Sequence, residues 1–227
     1  MNLFHRMARR GRRLTILIVA AAICAPLAAA AAPPVAPTLV VFGDSLSAGY
    51  GIHVEEGWVA LLGRRLESEG YGYRVVNASV SGETTAGGLA RLGHVLQLHH
   101  PAIVVIELGA NDGLRGLPVA EMRRNLEQLV GQARAGGARV LLVGTRIPSN
   151  YGPTYTDDYY ASFGTVAKSA RVPLVPFLLE GIMLDERNFQ GDRLHPVAAA
   201  QSRLLETVWR QLRGLLGPLP ATRRTTS

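Results

Sequence analysis

Short apolar runs alternate with stretches of helical periodicity along most of this chain. The apolar runs cover residues 39–42, 73–77, 103–108, 140–144 and 174–177, and several are rich in valine, which favours strands. The stretches between them predict helices over 57–69, 84–98, 118–135, 159–169 and 197–216, with a loop over 145–156. Strands that alternate with helices form parallel βαβ units. The chain is therefore predicted to be an α/β protein, a three-layer α/β/α sandwich around about five strands.

The first 32 residues differ in composition from the rest of the chain. Five arginines precede residue 14, an apolar run covers 14–27, and small residues at 28–32 offer Ala-x-Ala cleavage points. This layout is typical of a secretory signal peptide, and the arginine pairs also hint at twin-arginine export. An uncleaved membrane anchor is the alternative, but Pro26 and the alanine-rich end favour cleavage. The protein is therefore predicted to be exported and to be periplasmic or secreted.

Charge and cysteine content limit the functions that are open to the chain after residues 1–32 are removed. The whole chain has 24 basic and 17 acidic residues, a net charge of +7, but the signal segment holds five of the arginines. The remaining chain carries 19 basic residues, a net charge of +2, so a nucleic-acid partner is not predicted. The only cysteine, Cys24, lies in the signal segment and is removed with it. The remaining chain can therefore form no disulfide and has no thiol nucleophile. Residues 33–216 suffice for one domain, and the polar tail at 217–227 is predicted to be loose.

Four polar blocks follow predicted strands or lie in the final loop. They are 43–46 (Gly-Asp-Ser-Leu), 78–82 (Ala-Ser-Val-Ser-Gly), 109–112 (Gly-Ala-Asn-Asp) and 192–196 (Asp-Arg-Leu-His-Pro). Because parallel strands bring their carboxyl ends to one edge of a sheet, the first three blocks can share a crevice. Together the blocks hold what acyl transfer requires: a serine, an imidazole to take its proton, a carboxylate to orient the imidazole, and donors for an oxyanion.

These four blocks resemble the conserved blocks of the SGNH (GDSL) hydrolases, which are named after their Ser, Gly, Asn and His. The chain is also similar to the bacterial thioesterase I/arylesterase/lysophospholipase branch, over segments 43–51, 76–79, 82–92, 107–116, 148–155 and 175–177. The resemblance extends from about residue 38 to about residue 213. It implies the SGNH hydrolase fold with a flavodoxin-like sheet, and a serine hydrolase that acts on esters without a metal or an organic cofactor.

The resemblance also implies a role for each matching residue. Ser45 is expected to be the nucleophile, and His195 first the general base and then the general acid. Asp192 is expected to orient His195. The backbone N–H groups of Ser45 and Gly82 and the side-chain amide of Asn111 are expected to form the oxyanion hole.

Two positions depart from the family pattern, and each block has an ordinary explanation as well. Ala110 and Arg193 stand where glycine is common in the family, which leaves the loop geometry open. A serine or asparagine after a strand can simply cap a helix, and a glycine can simply make a turn. Four such blocks in the right order favour a shared site over four coincidences.

The loop after the fourth predicted strand supplies further candidates. Asn150, Tyr151 and Tyr155 lie in a stretch rich in proline and glycine, beside the expected crevice. Long loops at this edge often line substrate pockets, so these three residues are predicted to bind substrate. The alternative is a plain surface connection.

The sequence thus predicts an exported serine esterase that hydrolyses carboxylic esters and thioesters, including aryl esters, acyl thioesters and lysophospholipids. Its expected partner is a small-molecule or lipid ester, with transient contact with a membrane surface, and the protein is expected to be a monomer. Two alternatives remain. The same chemistry would serve an O-deacylase of envelope glycans, and the same fold could belong to a catalytically silent binding protein.

Overall fold

The computed structural model describes residues 36–219, which form a parallel five-stranded sheet with helices on both faces. The strands are β1 (Thr38–Gly43), β2 (Arg74–Asn77), β3 (Ile103–Glu107), β4 (Arg139–Val143) and β5 (Leu174–Val175). They lie in the order β2-β1-β3-β4-β5, and every neighbouring pair is parallel. This is the flavodoxin-like order, so the predicted fold class is confirmed. The signal segment at 1–32 and residues 220–227 of the tail lie outside the described residues.

Helices pack on both faces of the sheet. They are α1 (Ser45–Ala48), α2 (Trp58–Ser68), α3 (Thr85–His99), α4 (Ala110–Leu114), α5 (Val119–Ala135), α6 (Pro153–Ala170) and α7 (Gln201–Leu212). Within residues 36–219, none of them combines the length and the apolar character that crossing a bilayer requires.

Successive side chains of each strand enter opposite layers of the core. In β1, Leu39 and Val41 pack in the layer that contains α2 and α7, whereas Val40 and Phe42 pack with α3, α5 and α6. All four side chains are fully buried. Burial on both faces is the reason that this strand appears in the sequence as a continuous apolar run, without the alternation of a half-exposed strand.

The register of the central strands aligns the polar segments that follow them. Gly43, the last residue of β1, lies opposite Glu107, the last residue of β3. Helices α1 and α4 begin within three residues of those strand ends, at Ser45 and Ala110. Segments that are far apart in the chain therefore start from the same edge of the sheet.

The structure differs from the sequence prediction at several element ends. Helix α6 begins at Pro153 rather than near residue 159, because proline is well suited to the first turn of a helix. Strand β5 has only two residues, since Pro176 lacks the N–H group that would continue the ladder. The last helix is shorter than predicted and is flanked by the 3₁₀ turns Ala198–Ala200 and Arg213–Leu215.

Candidate active site

Ser45 lies on a one-turn helix directly after strand β1. Asp44 caps this helix, because its Oδ1 atom accepts a hydrogen bond of 3.0 Å from the backbone N–H of Leu46. The turn ends at Gly49, whose φ of 78° is a left-handed conformation that glycine adopts without strain. The cap and the turn together hold the Ser45 hydroxyl at the carboxyl edge of the sheet.

His195 reaches Ser45 from a loop that lies 150 residues further along the chain. Its Nε2 atom is 2.8 Å from Ser45 Oγ, and its Nδ1 atom is 2.6 Å from Asp192 Oδ2. The Asp192 carboxylate also accepts hydrogen bonds from the backbone N–H groups of Leu194 and His195, at 2.9 and 3.0 Å. The hydrogen bonds from His195 and Leu194 lower the pKa of Asp192 to about 2, which keeps it charged at neutral pH.

Gln190 ties the His195 loop to the chain that follows α1. Its side-chain amide donates to the carbonyl oxygens of Tyr50 and Pro196, and its backbone N–H donates to the carbonyl of His195 at 2.8 Å. The ring of Tyr50 packs on the imidazole, with ring centroids 4.5 Å apart. Gly51 has a left-handed φ of 75°, and a Cβ atom there would displace the Gln190 amide, so glycine is favoured at this position. Sequence reasoning missed both Gln190 and Tyr50, which no spacing connects to the site.

Asn111 lies on helix α4, which follows strand β3, the neighbour of β1 in the sheet. Its Nδ2 atom donates to Asp44 Oδ2 at 3.2 Å and to the carbonyl of Glu83 at 3.0 Å. Gly82, which has a φ of 79°, directly precedes Glu83. The structure thus brings Ser45, Gly82 and Asn111 to one wall. Among the residues that the structure describes, the backbone N–H groups of Ser45 and Gly82 donate no hydrogen bond, so both can take a ligand oxygen.

Two buried carboxyl groups support this wall. Burial raises the pKa of Asp44 to about 6, although hydrogen bonds from Leu46 and Asn111 oppose the shift. Burial and the nearby charge of Asp44 raise the pKa of Glu107 well above its ordinary value, which favours its uncharged form. Glu107 Oε2 accepts a hydrogen bond of 2.7 Å from the Ser47 hydroxyl. Across residues 36–219, no three His, Cys, Asp or Glu side chains are grouped to hold a metal ion.

A crevice of about 500 Å³ opens in front of these groups. Ser45, Gly82, Asn111 and His195 line its reacting end, and Asp192 lies behind His195, outside the lining. The remainder of the wall is largely apolar and comes mainly from the loops after β4 and β5. Its apolar side chains include Leu46, Ile147, Pro148, Phe177, Leu179 and Phe189. A concave site with a few polar groups at one end and apolar walls elsewhere suits an acyl chain.

The three residues predicted to bind substrate are not part of this crevice lining. The hydroxyl of Tyr151 donates to the carbonyl of Leu114 at 2.7 Å, and the hydroxyl of Tyr155 donates to the carbonyl of Leu117 at 2.8 Å. The two tyrosine rings stack, 6.1 Å apart, and line a separate shallow groove. Asn150 is exposed on the 3₁₀ turn Ser149–Tyr151. The two tyrosines therefore hold the loop against the end of α4 and the segment that follows it, and the preceding part of the same loop lines the crevice.

Comparison with known proteins agrees with this geometry. Residues 41–203 match the model of the GDSL-like lipase/acylhydrolase family, and this span contains every residue that lines the reacting end of the crevice. The chain belongs to the GDSL-like lipase/acylhydrolase family. It is an ester hydrolase.

Two members of the family illustrate the similarity. Esterase TesA of Pseudomonas aeruginosa is 54% identical over 181 residues, which cover 80% of this chain and 90% of TesA. Thioesterase 1/protease 1/lysophospholipase L1 of Escherichia coli K12 is 40% identical over 181 residues, which cover 80% of this chain and 86% of that protein. A crystal structure of TesA, also 54% identical, superposes with a TM-score of 0.77 and covers 79% of this chain and 99% of that chain.

Proposed function

We propose that this GDSL hydrolase cleaves carboxylic esters and thioesters through an acyl-enzyme on Ser45. One observation supports the proposal above all: Ser45 Oγ, the imidazole of His195 and the carboxylate of Asp192 form an unbroken line, with separations of 2.8 and 2.6 Å. A serine hydroxyl becomes a useful nucleophile when a neighbouring base takes its proton. The imidazole can hold that proton because an adjacent carboxylate stabilises its charge.

In the first half of the reaction, Ser45 Oγ attacks the carbonyl carbon while its proton moves to His195 Nε2. The carbonyl oxygen becomes an oxyanion, which accepts hydrogen bonds from the N–H groups of Ser45 and Gly82. The Asn111 amide joins them by releasing one of its two present acceptors, Asp44 Oδ2 or the Glu83 carbonyl. When the tetrahedral intermediate collapses, the bond to the leaving oxygen or sulfur breaks. His195 donates its proton to that atom, and the acyl group remains on Ser45.

In the second half, water takes the place of the leaving group. His195 Nε2 accepts a proton from this water as its oxygen attacks the acyl carbon, and the same donors stabilise the second oxyanion. Collapse breaks the bond to Ser45 Oγ, which recovers its proton from His195. The carboxylic acid leaves, and the enzyme returns to its starting state.

The walls of the crevice favour acyl substrates over glycans. A sugar chain requires many polar partners, whereas here the wall beyond the reacting groups is largely apolar. Aryl esters, acyl thioesters and lysophospholipids all present an apolar acyl portion of this kind. The name of the E. coli relative includes both thioesterase and lysophospholipase activities, which supports the same range for this chain.

Export and assembly complete the proposal. Residues 1–32 act as a signal peptide that is removed, and the enzyme works in the periplasm or outside the cell as a monomer. Its contact with a membrane surface is transient. Amino-terminal sequencing of the exported protein, expected to begin within or just after residues 28–32, tests cleavage. Sedimentation velocity tests the monomer, for which a larger species would be the contrary result.

The decisive experiment compares the exported protein with a Ser45→Ala variant on p-nitrophenyl esters from acetate to palmitate. We expect turnover by the wild type and a loss of several orders of magnitude in the variant. A fluorophosphonate probe should label the wild type and fail to label the variant. Folded wild-type protein that neither turns over an ester nor reacts with the probe would favour the catalytically silent alternative.

A further inference from the structure

Arg193 lies in the His195 loop, between Asp192 and His195. Its φ of 60° is left-handed, a conformation that an arginine adopts less readily than glycine. The turn is held there because the Arg193 N–H donates to the carbonyl of Gln190 at 2.9 Å, and because Asp192 accepts from the two following N–H groups. A charged, long side chain is thus placed in a turn that does not favour it, beside the general base.

The side chain of Arg193 lines the crevice and is 77% exposed. Its ionic partner is Glu186, which also lines the crevice, and the Arg193 Nη2 to Glu186 Oε2 distance is 3.9 Å. Glu186 is 81% exposed. An ion pair that is this open and this long contributes little, because water solvates both charges. A substrate anion in the crevice can therefore replace Glu186 as the partner of the Arg193 guanidinium at a small cost in free energy.

The position of Arg193 beside His195 indicates which part of the substrate it meets. In the proposed reaction, His195 gives its proton to the leaving oxygen, so the leaving group must extend along the wall that the His195 loop supplies. Arg193 and Leu194 precede His195 on this loop, and both line the crevice. The acyl portion has the apolar side chains of the loop after β4, Ile147 and Pro148, available to it.

We propose that Arg193 makes the enzyme prefer esters whose alcohol portion carries a phosphate, as in a lysophospholipid, and that Glu186 weakens this preference by competing for the same guanidinium. An arginine suits this task, because its planar fork matches two phosphate oxygens. The inference rests on the proposed function, since it requires attack by Ser45 and protonation of the leaving oxygen by His195.

The test uses two soluble esters that differ only in one phosphate, monohexanoylglycerol and monohexanoylglycerol phosphate. The readout is the ratio of kcat/KM for the phosphorylated ester to that for the uncharged one, which cancels any general effect on the loop. We expect Arg193→Gln and Arg193→Gly to lower this ratio about fivefold, and Glu186→Gln to raise it about twofold. The wild-type ratio should fall with added salt, because ions screen an exposed charge pair.

The neighbouring ion pair provides matched controls. Arg187 and Asp185 pair at 2.9 Å on the same loop, but neither lines the crevice. Arg187→Gln and Asp185→Asn change the net charge as the test variants do, and they should leave the ratio as in the wild type. An equal fall in Arg193→Gln and Arg187→Gln would overturn the proposal in favour of a general charge effect.

A second arginine that lines the crevice, Arg146, is the alternative site for the phosphate. Arg146 also lines the crevice, from the loop after β4, and its guanidinium stacks 4.1 Å from the Tyr160 ring. If Arg146→Gln lowers the kcat/KM ratio and Arg193→Gln leaves it unchanged, the anion binds at Arg146. This result would overturn the assignment to Arg193. Ester hydrolysis would stand in both cases. Failure of the wild type on both of these esters and on every p-nitrophenyl ester would instead overturn the proposed function, and this inference with it.

Discussion

The Nδ2 atom of Asn111 lies 3.2 Å from Oδ2 of the fully buried Asp44. Because Asp44 also caps the helix turn that carries Ser45, one carboxylate orients the proposed nucleophile and one of the proposed oxyanion donors. The arrangement places a charged group in a buried position, where desolvation raises its pKa to about 6. Asp44 is therefore a positioning residue, whose charge is unfavourable for the fold and useful for the orientation of Asn111.

We expect Asp44→Asn to lower kcat by about tenfold to a hundredfold, with a smaller effect on KM. An asparagine presents a donor to either Asn111 or the Leu46 N–H, so one of these two hydrogen bonds is lost and the oxyanion donor is misplaced. Steady-state kinetics on p-nitrophenyl butyrate measure the effect. Asp185→Asn makes the same change at the cap of an exposed turn and should leave kcat unchanged. Equal kinetics in the wild type and Asp44→Asn would contradict this role.

The raised pKa values of the buried carboxyl groups of Asp44 and Glu107 determine how the stability of the fold is expected to depend on pH. An acid whose pKa is higher in the folded state binds its proton more tightly there, so unfolding becomes easier as pH rises through the interval between the two pKa values. For Asp44 this interval runs from 3.8 to about 6, and the raised pKa of Glu107 extends the decline to higher pH. Urea denaturation between pH 4 and pH 8 should show a weaker decline in Asp44→Asn than in the wild type. Parallel curves for the two proteins would show that Asp44 is not the titrating group.

Asp192→Asn tests the carboxylate behind the imidazole. The change replaces an acceptor of three hydrogen bonds by an amide, which favours the wrong tautomer of His195. We expect a fall in kcat on the order of a thousandfold to ten-thousandfold, with the far-ultraviolet circular dichroism unchanged. Asp157→Asn, on the exposed side of α6, is the control and should be fully active. A loss of less than tenfold in Asp192→Asn would assign the orientation of His195 to other groups.

Substitution by alanine is expected to have opposite effects on stability at two glycines of helix α3. A Cβ atom at Gly88 would lie 2.5 Å from Leu108 Cδ1 and 3.2 Å from Phe42 Cε1, whereas a Cβ atom at Gly93 would meet nothing within 4 Å. Gly88→Ala should therefore lower the free energy of unfolding by about 1–3 kcal/mol through overpacking. Gly93→Ala should raise it by about 0.5–1 kcal/mol through helix propensity. Guanidinium titrations of both variants check the pair, and effects of the same sign would contradict the close packing of α3 on the sheet.

Tyr155→Phe separates an anchoring role from substrate binding. Loss of the hydroxyl removes the hydrogen bond to the Leu117 carbonyl, which should lower the free energy of unfolding by about 1 kcal/mol. The preference among p-nitrophenyl esters of different chain length should remain that of the wild type. Ile147→Ala enlarges the crevice itself and should shift this preference towards longer chains. A shift in Tyr155→Phe would instead support the role in substrate binding that the sequence predicts.

The sheet and the proximity of the proposed reacting residues could be predicted because their signals are local or recur as a pattern. Residues 39–42 form a continuous apolar run, and in the structure β1 is buried on both faces as that run predicts. The order of the strands follows from the βαβ alternation together with the family resemblance. Ser45 and His195 were assigned to one site from motifs at opposite ends of the domain, and they lie within hydrogen-bond distance of each other.

What the sequence could not predict depends on contacts between segments that no periodicity connects. In the sequence, Asp44 looks like an ordinary turn residue after a strand. Only the fold shows that its carboxylate accepts a hydrogen bond from Asn111, 67 positions away. Gln190 reaches Tyr50 across 140 positions. The composition of residues 153–156 is typical of a loop, yet helix α6 begins there because Pro153 starts its first turn.

The separation of 150 residues between Ser45 and His195 has a consequence for the nascent chain. Translation delivers the proposed nucleophile 150 residues before its base, so no fragment that stops between them contains both. Under the proposed mechanism, a nascent chain that ends before residue 195 is catalytically inert. The appearance of activity on a fluorogenic ester thus marks the moment at which the final loop docks, and it offers a sensitive clock for the completion of folding.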